Sequence, residues 1–255
     1  MTRIDFWWVP RALVLGLLAF VIFGPLTNLL LWTVAEKWYF PHMLPLEYGF
    51  SFWQRVFSPR GNAMESLVTS IVVASLTVVV ALALAVPAGY ALSRLKLPFR
   101  SLILLAFLIP QAFPNLPVYV NIARFFYQIG LNGTIMGVVL VHVTHGLVYA
   151  VWIATAAFSA VQIDLEEAAR SIGAGPLRAF RDVTLPLAAP GLLASAIFVF
   201  LESLDEFTGS YFVGAPDGNY QIASITALLL LIPSIGFMLV VERFLRADVL
   251  SKVGH

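Results

Sequence analysis

The 255-residue sequence contains no cysteine, which excludes disulfides, thiolate metal sites and a cysteine nucleophile together. Charge is nearly as scarce. Asp, Glu, Lys and Arg make up 11% of the chain, against roughly 25% in a soluble domain that must hydrate its surface. A formal net charge of +1 gives no strong field of one sign and no case for a nucleic-acid partner. There is no Gly-x-x-x-x-Gly-Lys-Ser/Thr phosphate loop, so the chain is not expected to hydrolyse nucleotide itself. A Gly-x-Ser-x-Gly elbow is also missing, as is any nucleophile with a positioned base. Enzyme chemistry therefore has no residue-level support.

What the chain does have is apolar length: 60% of its residues are hydrophobic and the mean hydropathy is +0.90. At about 20 apolar residues per crossing of a ~30 Å bilayer core, continuous runs at 12–34, 67–92, 102–120, 134–158, 192–213 and 222–241 predict an all-α membrane protein with six transmembrane helices. Arg3 and Arg11 precede the first run, which is longer than the ~7–15-residue core of a secretory signal, so it reads as a retained span. Of the 15 Lys and Arg residues, 11 fall on the side of the two termini and 4 on the other. The positive-inside rule then makes both termini cytoplasmic, with residues 1–11 as N-terminus, 12–241 as one membrane domain and 242–255 as C-terminal tail. Loops at 35–66 and 121–133 face outward, where Trp38, Tyr39, Tyr48 and Trp53 suit an interfacial belt. Loops at 93–101 and 159–191 face inward.

Irregularities within the runs carry more information, because a backbone hydrogen bond lost in lipid must be recovered from protein or from a water-filled cavity. Pro110, Pro114 and Pro117, with Asn115 between them, must kink or break the third span. They form either a non-helical wall of a translocation pathway or a kink relieved by neighbours. Gly133 and Gly137 open the fourth span and permit close helix approach. Glu202, Asp205 and Glu206 stand at i, i+3 and i+4 within the 192–213 run, near one helical face. Each is costly in lipid, so they line an acidic path attractive to cations, sit near the outer interface, or bond to other helices. His142 and His145, one turn apart, lack the His-Glu-x-x-His arrangement of a metalloenzyme and read as polar packing rather than a metal site.

The inward loop is polar and structured. Asp164 is placed to cap a short helix with Glu166 and Glu167 against its dipole. Gly173 and Gly175-Pro176 end that helix, Leu177 to Asp182 form a second, and Pro186 sets the entry to the fifth span. Within it, Glu167-Ala168-Ala169, Gly173, Val183 and Leu185-Pro186 match every fixed position of the pattern Glu-Ala-Ala, three residues, Gly, nine residues, aliphatic, one residue, Leu-Pro. The segment thereby resembles the EAA loop of permease subunits in type I ABC importers, and the likeness extends over about residues 67–245. It implies the importer permease fold and assigns Glu166, Glu167, Ala168, Ala169, Gly173, Val183, Leu185 and Pro186 to coupling with a separate ATPase.

The same resemblance implies a second permease subunit, expected to be a different chain, two ATP-binding cassette ATPase subunits and an extracytoplasmic substrate-binding protein. It places the chain in the bacterial cytoplasmic membrane. No cofactor is implied for the chain itself, since ATP and Mg would be bound by the partner ATPase. Ser203-Leu204-Asp205-Glu206-Phe207 looks like the Asp-Glu-Phe segment of spermidine and putrescine permeases, which points to a polyamine or other organic cation. A sugar-type permease is the competing reading, and the tail at 249–255 resembles the C-terminal ends of that group. A passive channel or membrane scaffold, and then a membrane metalloenzyme, are the readings from other classes. One departure is the short connection 217–221, which leads directly from Pro216 to Ile222 where relatives carry a longer external segment.

Overall fold

The computed structural model describes residues 8–58, 63–206 and 220–253. These fall into two units, one comprising 1–67 with 216–231 and the other 68–215 with 232–255.

In the first unit, α1 (Trp8–Thr33) is an apolar helix whose side chains are mostly exposed, as expected of a lipid-facing segment. It leads into a small antiparallel hairpin, β1 (Ala35–Lys37) with β2 (Glu47–Tyr48), so the fold is not purely helical. Main-chain bonds from Leu46 to Lys37 and from Gly49 to Val34 close the hairpin. A polar connection can satisfy its backbone by pairing with itself, which leaves no mark in the hydropathy. Helix α2 (Ser51–Val56) follows, and Glu36 accepts hydrogen bonds from the Ser51 amide and hydroxyl at its start. The expected aromatic belt is partly assembled here: Trp38 stacks on Trp32 at 4.4 Å, and Trp53 donates to the Thr33 carbonyl.

The second unit holds most of α3 (Ala63–Arg94), then α4 (Arg100–Ala112), α5 (Asn115–Gln128), α6 (Ile135–Ala160), α7 (Ile163–Ser171), α8 (Pro176–Ala179) and α9 (Leu185–Asp205). Its core is built from small residues. Ala81, Ala85, Ala150, Val151, Ala154 and Val199 are completely buried. Small side chains let helices approach where lipid supplies no hydrophobic drive for them to associate. A Cβ on Gly191 would strike the Cβ of Ala157, and one on Gly89 would meet Ala154 and the Thr155 amide. Helix α6 pairs most extensively with α9. Gly137 serves a different purpose from the one expected: it packs on the Leu131 carbonyl, and its amide is capped by Thr134 at the start of α6.

Among the described residues, four helical segments are long and apolar enough to cross a membrane: Pro10–Thr33, Ala63–Arg94, Ile135–Ala160 and Pro176–Asp205. A fifth crossing is available if the bent pair α4–α5 counts as one. Of the last expected span, α10 (Tyr220–Val253) contains an apolar stretch, Ser224–Val240, shorter than a full crossing. Helix α9 covers the expected run 192–213 up to Asp205, and 207–219, including Phe207, lie outside the described residues. The connection 217–221 is likewise described only from Tyr220.

Candidate functional site

The polar loop at 159–191 folds as a helix, a turn and a second helix. Helix α7 begins after Gln162, so Asp164 lies within its first turn instead of capping it; Asp164 and Glu166 both complement the N-terminal dipole there. At the other end Gly173 has φ +97°, its amide donates to the Arg170 carbonyl, and the Ala174 amide donates to that of Ala169. This is the Schellman arrangement that a left-handed glycine makes possible. The expectation for Gly173 thus rests on backbone geometry.

Glu166 and Glu167 have opposite environments. Glu167 and Ala168 are exposed, next to Ile172 at 89% exposure and Leu177 at 78%. Glu166 is buried and faces the membrane helices. Its Oε1 accepts from the Tyr90 hydroxyl at 2.5 Å and its Oε2 from the Thr184 hydroxyl at 2.9 Å. Arg94 Nε stands 3.4 Å from Oε2, and Arg94 Nη2 donates to the Val161 carbonyl. Burial pushes the Glu166 carboxyl up, but the bonds from Tyr90 and Thr184 and the charges of Arg94 and Arg170 outweigh it, so it lies below its ordinary value. The Tyr90 ring meets Phe158 and Phe180 edge-on, and those two rings meet at a tilt. The sequence offered no sign that Tyr90 and Arg94, over seventy positions upstream, would complete this site.

The second short helix does not end before the next span. Helix α8 continues through a π-helical turn, Phe180–Thr184, into α9 without a break. Leu185 closes that turn by donating to Phe180. Pro186 follows as an early residue of α9 and does not begin a new segment. A proline has no amide to give the carbonyl four residues back, and widening the helix by one residue ahead of it accommodates that loss. Val183 and Leu185 are half-buried on either side of buried Thr184.

The third-span prolines act as expected on the backbone. Pro110 lies within α4, Pro114 precedes α5, and Pro117 falls in the first turn of α5, where a missing amide costs no hydrogen bond. The α4–α5 pair bends by 92°, and Asn121 donates to the Pro117 carbonyl. Asn115 is the first residue of α5. Pro110 borders an apolar groove of about 310 Å³ lined by Ile103, Ala106 and Phe107 of α4 and by Thr144, Leu147 and Val148 of α6.

The three acids of α9 are not equivalent. Glu202 and Glu206 are half-buried and Asp205 is exposed, with Glu206 just beyond the helix end. The two histidines of α6 meet α9 and α5 in turn. His142 Nδ1 lies 2.7 Å from Ser203 Oγ, and His145 packs its ring 5.2 Å from that of Tyr119 on α5. Among the described residues no group of three His, Cys, Asp or Glu could hold a metal ion.

Residues 81–246 match the family of binding-protein-dependent transport system inner membrane components. The chain belongs to this family of ABC importer permeases. Its relatives include the trehalose transport system permease protein SugB of Mycobacterium tuberculosis, 32% identical over 82% of this chain and 83% of that one. Another is the diacetylchitobiose uptake system permease protein NgcG of Streptomyces coelicolor, 34% identical over 66% of this chain and 55% of that one. The fold is that of a bacterial ABC transporter involved in import of the acidic polysaccharide alginate, at TM-score 0.61 and 20% identity over 96% of this chain and 98% of the other. The permease is thus a membrane-embedded transport subunit of a binding-protein-dependent system, which sets aside the channel, scaffold and metalloenzyme readings. These relatives are named for sugars, so the likeness to spermidine and putrescine permeases does not carry over. Of the segment behind that likeness, Ser203 meets His142, Asp205 is exposed and Phe207 lies outside the described residues.

Proposed function

We propose that this permease carries a neutral saccharide, forming half of a pathway completed by a second, different permease subunit. The observation that supports the substrate class is 32% identity to a trehalose permease across four-fifths of the chain. In this reading the protein lies in the bacterial cytoplasmic membrane with six crossings and both termini inside. Two ATPase subunits power it, and an external binding protein delivers the sugar. ATP and Mg stay with the ATPases.

The coupling residues are Glu167, Ala168 and Ala169, presented on α7, with Gly173 shaping its end. Glu166 anchors the helix from behind, and Val183, Leu185 and Pro186 lead into α9. Exposed Ile172 and Leu177 give the surface apolar area that a partner's groove would bury. Motion of the docked helix would reach α3 through Tyr90 and Arg94, and α9 through Thr184.

The test is uptake by proteoliposomes holding both permeases, both ATPases and the binding protein, supplied with labelled trehalose, maltose, diacetylchitobiose or putrescine. ATP-dependent uptake of at least one sugar, and none of putrescine, is expected. Uptake of putrescine without any sugar would overturn the saccharide reading. Ile172→Glu with Leu177→Glu should release the ATPases while the permease pair stays assembled.

A further inference from the structure

The polar loop is continuous at its exit and interrupted at two other places. Helix α8 runs through the π turn into α9, so no joint separates them. The turn at Gly173 divides α7 from α8. At the entry, α6 ends at Ala160 and α7 begins at Ile163, and the two residues between them are extended: Val161 at φ −79°, ψ 125° and Gln162 at φ −62°, ψ 129°. A short non-helical step of this kind is where a push on α7 would be absorbed by bending.

Buried side chains bridge both interruptions. Glu166 on α7 accepts from Thr184 in the π turn at 2.9 Å, which spans the turn at Gly173. The entry step is spanned by Arg94, the last residue of α3. Its Nη2 donates to the carbonyl of buried Val161 at 2.9 Å, and its Nε stands 3.4 Å from Glu166 Oε2. That Nε makes no hydrogen bond among the described residues, so the directional bond of the guanidinium goes to the step, and the carboxylate receives its charge. Tyr90 and Thr184 supply the directional bonds to the carboxylate. The base from which Arg94 reaches is itself fixed, since Arg100 Nε donates to the Leu92 carbonyl at the end of α3 at 2.6 Å. A rigid guanidinium fork can hold a carbonyl and face a carboxylate together, which a lysine ammonium on its flexible stem does not do.

We infer that Arg94 is a positioning residue for coupling: it clamps the Val161–Gln162 step, so that α6 and α7 turn as one piece and a displacement of α7 reaches α6 as well as α9. The inference rests on the docking of α7 to an ATPase described above. It gives Arg94 a part separate from balancing the Glu166 charge.

The experiment reads solute moved per ATP hydrolysed in the complete reconstituted transporter, with whichever labelled solute the unaltered protein carries. Arg94→Ala strands the buried Glu166 charge and endangers the fold. Arg94→Met combined with Glu166→Gln removes the clamp and leaves no charge unpaired. This double variant should retain its ATPases and keep ATP hydrolysis within about twofold, while solute moved per ATP falls about tenfold, the scale of one hydrogen bond from a charged group. Arg94→Lys should lose less. Because the chain has no cysteine, spin labels on Ser159→Cys and Ser171→Cys, both exposed, report the angle between α6 and α7. Their distance distribution should be narrow in the unaltered transporter and in Glu166→Gln alone, which keeps Arg94, and should broaden in the double variant. A narrow distribution or an undiminished ratio in the assembled double variant would overturn the clamp and leave Arg94 as a counter-charge. A fall in the ratio that tracks release of the ATPases would also overturn it. If Ile172→Glu with Leu177→Glu keeps its ATPases, the failure belongs to the docking reading itself.

Discussion

The hydroxyl of Tyr90, near the end of α3, donates a 2.5 Å hydrogen bond to Glu166 on α7, so a long apolar helix and the polar loop share one buried carboxylate. Arg94 completes the pair, and both charged side chains are at least nine-tenths buried. Glu166→Ala should destabilise the assembled permease by about 3–5 kcal/mol, because it leaves the Arg94 charge buried without its partner. Tyr90→Phe removes one bond to a charged acceptor and should cost about 1.5–3 kcal/mol. Thermal unfolding of the purified complex would check the order; a larger loss in Tyr90→Phe would contradict it.

Acid should release the same junction. The folded-state value of Glu166 is depressed below the ordinary 4.5, so its stabilisation is complete above that ordinary value and is lost as pH falls through the lower folded one. Unfolding temperature should therefore hold steady from neutrality to about pH 5 and decline below it, as the carboxyl begins to take up its proton. Glu166→Gln should start lower and show a shallower acid decline. An equally steep decline in that variant would assign the acid sensitivity to other groups.

Gly173→Ala should shorten the working life of the α7 turn. A side chain at φ +97° costs about 1–2 kcal/mol, and nothing else nearby obstructs it, since a Cβ there meets open space. The expected outcome is weaker co-purification of the ATPase with little change in the membrane helices, read by protease sensitivity of the loop against that of α6. Equal retention of the ATPase would show that the turn tolerates the change.

A second glycine gives a prediction of opposite origin. Gly191→Ala drives a methyl into Ala157 across the α6–α9 pairing and should cost about 1–3 kcal/mol by overpacking. Ala157→Gly in the same chain should return most of that loss. Failure of the pair to compensate in thermal unfolding would mean the helices separate by another route.

The sequence made these features legible to different degrees, for physical reasons. Hydropathy located the long apolar helices because lipid tolerates few other compositions, and Pro114 located the α4–α5 break because its ring dictates one. Gly173 could be read because only a glycine enters that turn freely. The roles of Glu166 and Glu167 could not be separated: adjacent acids on a helix look alike until Tyr90, Arg94 and Thr184 converge on one of them. His142 and His145 were likewise considered apart from the acids of α9, because their shared surroundings depend on how α6 meets α9. The β1–β2 hairpin was missed because two or three residues per strand leave no period to detect.

The π turn at Phe180–Thr184 sets the angular phase of everything after it. One surplus residue corresponds to about 100° of rotation about a helix of 3.6 residues per turn. Removing a single residue from that turn would screw α9 round by this amount, carrying Gly191 away from Ala157 and Ser203 away from His142. The polar loop therefore works as an indexing collar, fixing which side of α9 faces α6 some twenty residues further along the helix.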